Sequence, residues 1–271
     1  MRLLIGLLLS FTLFSGTYVE KGKDCKVVNS AFQSNELLYY KVFYNWGVIW
    51  VEAGEAAFTC KLTNYKEKPA YYFTGTGRTF DKYSWIYKVR DKYESYADTA
   101  NLKPYRFIRD VKEGGSETYE DCLFSFKKGM AYSVLKTKKS IKIDSAKLSS
   151  CSIDVMTAIY YARCLDYSTC KPNDTIPFDL FLENKNYPIY IRYLGKEVKE
   201  ISGLGKFNCI KFKPLLIEGT IFKGGEDMTV WVTDDKNKIP VYVETPILVG
   251  KIKVRLAGYS GLRNEVSSKV K

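Results

Sequence analysis

The sequence contains no histidine. That absence removes the commonest general base and metal ligand, and with them the serine and cysteine triads in their usual form. The seven cysteines never fall as Cys-x-x-Cys, so structural zinc and thioredoxin-type redox chemistry lack their motifs. Gly75-Thr-Gly77 and Gly203-Leu-Gly205 lack the further glycine and the strand-to-helix setting of a dinucleotide loop, and read as turns or bends. Beyond the first sixteen residues, no apolar run approaches the roughly twenty needed to cross a bilayer as a helix. Internal repeats and Pro/Ser-rich linkers are also missing.

What is present starts with Met1-Arg2, an apolar run through Phe14, and the small pair Ser15-Gly16. One positive charge, a short apolar stretch and a small-residue exit make residues 1–16 a signal peptide, too short to span a membrane. The mature chain is therefore expected in the periplasm or otherwise exported. Cys25 follows the charged Lys21-Gly-Lys-Asp24 instead of the small apolar residues of a lipobox, so no lipid anchor is expected. The formal charge of +12 is spread along the chain, with only Lys136-Thr-Lys-Lys139 locally dense. Such a surface suits solubility and contact with anionic lipid or glycan. Nucleic acid is not an expected partner, because no recognition motif occurs. The odd cysteine count leaves at least one thiol unpaired. Cys164 and Cys170 are close enough in sequence to bridge, and Cys60 and Cys122 can serve as small buried hydrophobes. The pairing is left open.

The mature chain reads mainly as strands. Leu38, Tyr40, Val42, Tyr44 and Trp46 share one face at period two, and Ala56, Phe58, Cys60 and Leu62 share another. Gly47 predicts a turn, Gly54 a bulge or bend, and Lys112-Glu-Gly-Gly115 a hairpin. Further strands are expected at 70–75, 84–89, 92–96, 106–111, 117–126 and 130–135. After Pro172 they are expected at 175–180, 187–194, 196–201, 207–212, 220–222, 228–232, 241–244 and 251–256, with a tight hairpin at Gly195. One segment differs. Val155, Met156, Ile159, Tyr160 and Arg163 recur at helical spacing, which predicts a helix over about 152–165 with Ser152 as its N-cap. The guanidinium of Arg163 on that stripe needs water or an acidic partner. The reading is a mainly β protein in which a strongly curved antiparallel sheet, half-barrel or barrel-like, packs on one main helix. Its segments are the signal peptide at 1–16, an extension at 17–32, one β-rich domain at 33–258 and a flexible tail at 259–271.

Catalytic residues do not stand out. Two carboxylates suffice to hydrolyse a glycosidic bond, and Asp91, Glu94, Asp98, Asp110 and Glu113 are the acids to watch. Aromatics crowd the stretch from Tyr39 to Tyr96. Neighbours such as Tyr39-Tyr40 and Tyr71-Tyr72 point to opposite strand faces, so both faces carry rings. Core packing explains most of them; the remainder can form a ring-lined groove.

Phe43-Tyr-Asn-Trp-Gly-Val-Ile-Trp-Val-Glu-Ala-Gly-Glu-Ala56 resembles the opening signature of the bacterial domain-of-unknown-function family 3108. The likeness continues in Val89-Arg-Asp91, in Asp98 with Leu102-Lys-Pro-Tyr-Arg106, in the Asp154–Arg163 helix and in Trp231–Val241, covering roughly 33–258. Members of that family often carry signal peptides, and many come from Bacteroidetes; no catalytic residues come with it. The lysine-rich composition and the cysteine count depart from the family pattern. The phrase Trp231 followed by Asp235-x-x-x-x-Pro240 is also similar to one in envelope lipoprotein carriers, where a curved sheet wraps a helix-lined apolar cavity; that likeness is at the level of fold. The expectation is an exported envelope protein, non-catalytic and without cofactor or metal, holding a lipid-like or glycan ligand in an aromatic groove. Trp46, Trp50, Tyr72, Trp85 and Tyr160 are the expected lining, with Arg90 and Arg163 as charge partners. The alternatives are a carbohydrate-active enzyme using paired carboxylates and a structural component of an envelope protein complex.

Overall fold

The computed structural model describes residues 27–46, 49–85, 87–218, 224–247 and 250–270; the side chain of Trp46 is also outside this description. The signal peptide, Gly47 and the strand expected at 220–222 therefore lie outside the described residues. Fifteen strands form one sheet in the order β8-β7-β6-β5-β4-β3-β2-β1-β15-β14-β13-β12-β11-β10-β9. Each strand neighbours the next in sequence except β8 and β9, which stand at the two ends of the sheet, and β1 (Glu36–Trp46) pairs antiparallel with β15 (Lys251–Ser260). First and last strands thus meet in mid-sheet, and two meanders run outward from that seam. All pairings are antiparallel except β9 (Ser152–Ile153) with β10 (Thr175–Leu182). The helix α1, Val155–Cys164, supplies that parallel connection.

Local chemistry explains the elements. β2 (Ile49–Tyr65) and β3 (Lys68–Thr79) carry alternating apolar and polar residues, and their register places Phe58 beside Gly75 and Cys60 beside Phe73. The ladder between β1 and β2 slips at Val42/Phe43, opposite Gly54, which is the expected bulge. Gly114 and Gly115, both at positive φ, close the two-residue hairpin between β5 (Pro104–Glu113) and β6 (Ser116–Ser125).

The structure corrects four local expectations. Residues 81–83 form a 3₁₀ turn, and in place of separate strands at 84–89 and 92–96 there is one strand, β4 (Val89–Asp98). Gly195 is a bulge inside the continuous β11 (Lys185–Ile201), not a hairpin. The helix cap is Asp154, whose carboxylate accepts from Thr157 N at 2.9 Å, while Ser152 belongs to β9. Ile141–Lys147, not foreseen as a strand, forms β8, the end of the sheet beyond β7 (Met130–Thr137).

The helix lies against one sheet face. Tyr160 stacks on Phe73 with ring centroids 3.9 Å apart, and Phe32 meets both rings edge-on. A Cβ on Gly75 would sit 2.8 Å from the Met156 sulfur and 3.2 Å from the Phe58 ring, so a larger residue there would force the Met156 side chain to move. Asp154 is buried and bound by Ser95 of β4 at 2.7 Å, which anchors the helix start. A second core cluster joins Leu38, Tyr40, Phe207, Ile239, Val241 and Leu256 with Leu262 and Val266. It involves the remaining strands β12 (Gly205–Pro214), β13 (Thr229–Thr233) and β14 (Pro240–Pro246). The terminal segment, expected to be flexible, is pinned over this cluster: Ser268 donates to Asp235 at 2.8 Å and Val270 N to Lys206 O at 2.9 Å. The packed chain also begins before residue 33, since Ala31 and Phe32 are fully buried. No helix among the described residues is long and apolar enough to cross a membrane.

Candidate functional site

Of the seven residues expected to line one groove, the six whose side chains are described do not converge. Tyr160 and Arg163 are sealed in the core, each 1% exposed. The Arg163 guanidinium binds both oxygens of the buried Glu36, at 2.6 and 2.8 Å, and donates to Asn237 O at 3.0 Å. The acidic partner that the sequence demanded is therefore internal, and Arg163 holds the helix end to β1. Trp85 is 76% exposed in the loop before β4. Trp50 sits beneath the Lys253 ammonium, 3.8 Å from its ring centre. Tyr72 and Arg90 lie elsewhere on the sheet, and Trp46 ends β1 with its side chain outside the described part.

Tyr72 faces away from the helix, because Phe73 and Gly75 face it and strand residues alternate. This outer face carries a second ring cluster. Tyr72 stacks on Tyr96 at 4.7 Å, Tyr96 meets Tyr65 at 5.2 Å, and Tyr65 stacks on Tyr105 at 5.6 Å. Their hydroxyls are held: Tyr72 donates to Glu94, and Tyr105 to Asp98 at 2.5 Å. Burial, and then the carboxylate beside each, push both phenols upward, so both stay protonated donors. Cross-strand register continues the row from Lys61 through Tyr72, Tyr96, Arg106 and Leu123 to Tyr132.

Two grooves flank this platform on the same face. One, of about 370 Å³, has a floor of Ala57, Thr76 and Gly77 and walls that include Tyr39, Glu55, Arg78, Arg90, Lys92 and Lys112. Within it Tyr39 donates to Glu55 at 2.5 Å and Arg78 Nε donates to the other oxygen at 2.6 Å, which together hold the Glu55 carboxyl below its usual range. Arg90 is fixed by Thr79 O at 2.6 Å and Asp81 at 2.5 Å. Lys92 reaches Glu94 at 3.0 Å, linking this groove to the platform. The other groove, of about 340 Å³, is bounded by Tyr65, Arg106, Asp121, Leu123, Tyr132 and Ile143. Arg106 and Asp121 form a two-pronged pair there, at 2.8 and 2.6 Å.

Of the five acids singled out in sequence, Glu94 and Asp98 orient tyrosines, and Asp110 borders the first groove. Asp91 and Glu113 do come together. Burial and the adjacent Glu113 push the Asp91 carboxyl up to about 7, and the two groups share a hydrogen bond. Hydrogen-bonded carboxyls lie closer than the roughly 5–5.5 Å or 6.5–9.5 Å at which glycosidases set their pairs. Two carboxyls at this distance hold a proton between them and leave no gap for a sugar.

Sequence reasoning missed Tyr65, Tyr105, Arg78, Lys92 and Lys112. Alternation alone puts Lys92, Glu94 and Tyr96 on one face of β4; which residues of β3 and β5 stand beside them depends on register.

The family comparison decides one point. A model for a protein family of unknown function, DUF3108, matches residues 39–257. The chain belongs to this family. DUF3108 thus covers most of β1 through most of β15, including the platform and both grooves. Among solved structures, the chain is similar to a beta-barrel-like protein of domain of unknown function DUF1849 from Brucella abortus, with 10% identity and a TM-score of 0.51. That likeness covers 85% of this chain and 99% of the other, and it concerns the fold alone. A lipoprotein candidate from Parabacteroides distasonis matches at 9% identity over 87% and 99% of the two chains, with a TM-score of 0.34. No curated protein matches the chain.

Proposed function

We propose that this DUF3108 member is an exported, non-catalytic envelope protein that holds an anionic glycan along the outer face of β2–β8. The observation that carries the reading is the row of four tyrosine rings, stacked or tilted against one another on a water-facing sheet between two grooves. Flat rings with polar rims match the faces of sugar rings, and hydroxyls held by Glu94 and Asp98 keep them oriented before a ligand arrives. An acyl chain is the poorer occupant: on an open face it stays half wet, whereas lipid sites enclose most of their ligand. Arg78, Arg90, Lys92 and Lys112 in the first groove supply cations for carboxylate, phosphate or sulfate substituents. Export is supported by the leader-like first sixteen residues and by Cys151, which is disulfide-bonded, as oxidising compartments permit.

The test is calorimetric titration of the mature protein with size-matched acidic and neutral oligosaccharides, beside native mass spectrometry of the gently purified protein. Acidic oligosaccharides should bind, more weakly as salt rises. Tyr96→Ala should weaken them about tenfold, the worth of one stacked ring, and Lys112→Ala should remove part of the salt dependence. Binding that is indifferent to both changes, or a co-purifying lipid with no glycan response, would overturn the reading.

A further inference from the structure

β8 ends the sheet: it pairs with β7 and, among the described residues, no other strand lies beyond it. Residues 141–145 are all exposed, with Ile141 at 66% and Ile143 at 82%. The ladder geometry shows which main-chain groups are left over. Thr137 N donates to Ser140 O at 2.8 Å, which makes those two residues a hydrogen-bonded pair. Antiparallel pairs alternate, so Lys142, Asp144 and Ala146 turn their amide groups to β7, and Ile141, Ile143, Ser145 and Lys147 turn theirs outward. Lys147 O fits this, since it accepts from Asn186 at 2.6 Å off the sheet edge. Ile141 and Ile143 therefore present a free strand edge.

Natural sheets commonly guard such edges with an isolated lysine. Here Lys142 is followed two residues later by Asp144, and that spacing changes the outcome. We propose that β8 is a dimerisation strand, pairing antiparallel with β8 of a second copy about a two-fold axis through Ile143. In this register Ile143 meets Ile143 of the second copy, and Ile141 meets Ser145. All of these residues carry outward amide groups, so the hydrogen-bonding parity is satisfied; Ser145 N, which in the single chain donates to Asp144 Oδ1 at 2.7 Å, is released when the Asp144 carboxylate turns to Lys142 of the second copy. Lys142 then stands opposite Asp144 of the second copy, twice by symmetry, at the closely spaced non-hydrogen-bonded positions. Four isoleucines form one strip on the outer face. A shift of one residue breaks the parity, and the next allowed register, centred between Ile143 and Ser145 on Asp144, would oppose two aspartates. The interface is self-complementary, as a two-fold contact requires. It also joins the outer faces of two copies through Tyr132, Ser145 and Ile141, but it stands whether or not that face binds a glycan.

Sedimentation velocity of the mature protein across a wide concentration range tests this, with thermal melts to confirm that each variant is folded. Wild type should dimerise reversibly. Lys142→Asp or Asp144→Lys alone replaces two attractions by two repulsions and should weaken the dimer about tenfold to a hundredfold. The double variant, with the charges exchanged, should recover wild-type affinity to within about threefold. Ile143→Pro removes the central outward amide without touching the β7 ladder and should abolish dimerisation. A wild-type monomer at all concentrations, or a dimer that ignores the single charge reversals, overturns the proposal.

Discussion

Breaking the Arg163–Glu36 pair should cost more than any other single polar change in the described structure. The guanidinium makes two bonds to Glu36, a third to Asn237 O and a longer one to Ala31 O at 3.4 Å, and neither charged side chain is more than 1% exposed. Glu36→Gln keeps the shape and leaves a buried cation without its counter-charge; Arg163→Met leaves a buried carboxylate and two carbonyls unserved. Each should destabilise by about 3–5 kcal/mol, the usual result of removing one partner from a buried pair. For a chain of this size that is a fall in Tm of roughly 10 °C. The Glu36→Gln/Arg163→Met double variant carries no buried charge and should lose much less than the sum of the singles, giving a coupling of several kcal/mol. Urea denaturation followed by tryptophan fluorescence measures all four proteins. Single variants within about 1 kcal/mol of wild type would refute the structural role. An Arg163→Met protein of unchanged stability that loses ligand would reinstate the role first read from sequence.

Two further outcomes follow from burial. Because the Asp91 carboxyl is raised to about 7 by burial and by Glu113, the folded chain holds a proton there that the unfolded chain has already released above about pH 4. Its contribution therefore falls as pH rises through that window: wild type should lose roughly 2 kcal/mol relative to Asp91→Asn between about pH 5 and pH 8, and parallel stability–pH curves would contradict this. Deleting residues 261–271 removes Leu262 and Val266 from the second core cluster; unfolding free energy should drop by roughly 2–4 kcal/mol. The buried Cys209, whose thiol burial pushes up to about 12, should become reactive to an aromatic disulfide reagent, and an unreactive thiol in the shortened protein would show that the segment covers nothing.

Period-two patterning was enough to read strand faces: Phe58 and Cys60 lie helix-side together, as their alternation implied. The helix was legible from its stripe, though its cap moved from Ser152 to Asp154, because only the tertiary contact with Ser95 shows which side chain is buried against the helix start. Cys164 and Cys170, near enough in sequence to bridge, are both free thiols. β8 escaped notice because Ile-Lys-Ile-Asp is short and lies in a basic, turn-rich stretch. The site was the least legible part. Ring-bearing residues were chosen by type, and rings of one type ended on opposite faces: Tyr160 in the core, Tyr72 outside it. What assembles Tyr65, Tyr72, Tyr96 and Tyr105 is pairing register among β2, β3, β4 and β5, and register is a property of strand neighbours that no single segment encodes.

The division of labour between the two faces has a steric origin. Where the helix meets β3 and β4, Gly75 leaves room for the Met156 side chain, Ser95 binds the Asp154 carboxylate, and the Tyr160 ring fills the space over Phe73. Positions on the same strands that face outward, Tyr72, Glu94 and Tyr96, are free of that constraint and carry the large polar-rimmed side chains. A sheet whose inner face is plugged by its own helix has little room there for a foreign molecule near Tyr160. The proposed ligand is then left to the outer face, where rings are half-buried and charges are paired by neighbours within reach of water. On that argument, enlarging Gly75 to valine should unseat the helix and lower stability, while glycan binding at Tyr96 should weaken only in proportion to the unfolded fraction. If binding collapsed in a fully folded Gly75→Val protein, the ligand would have to lie on the helix side after all.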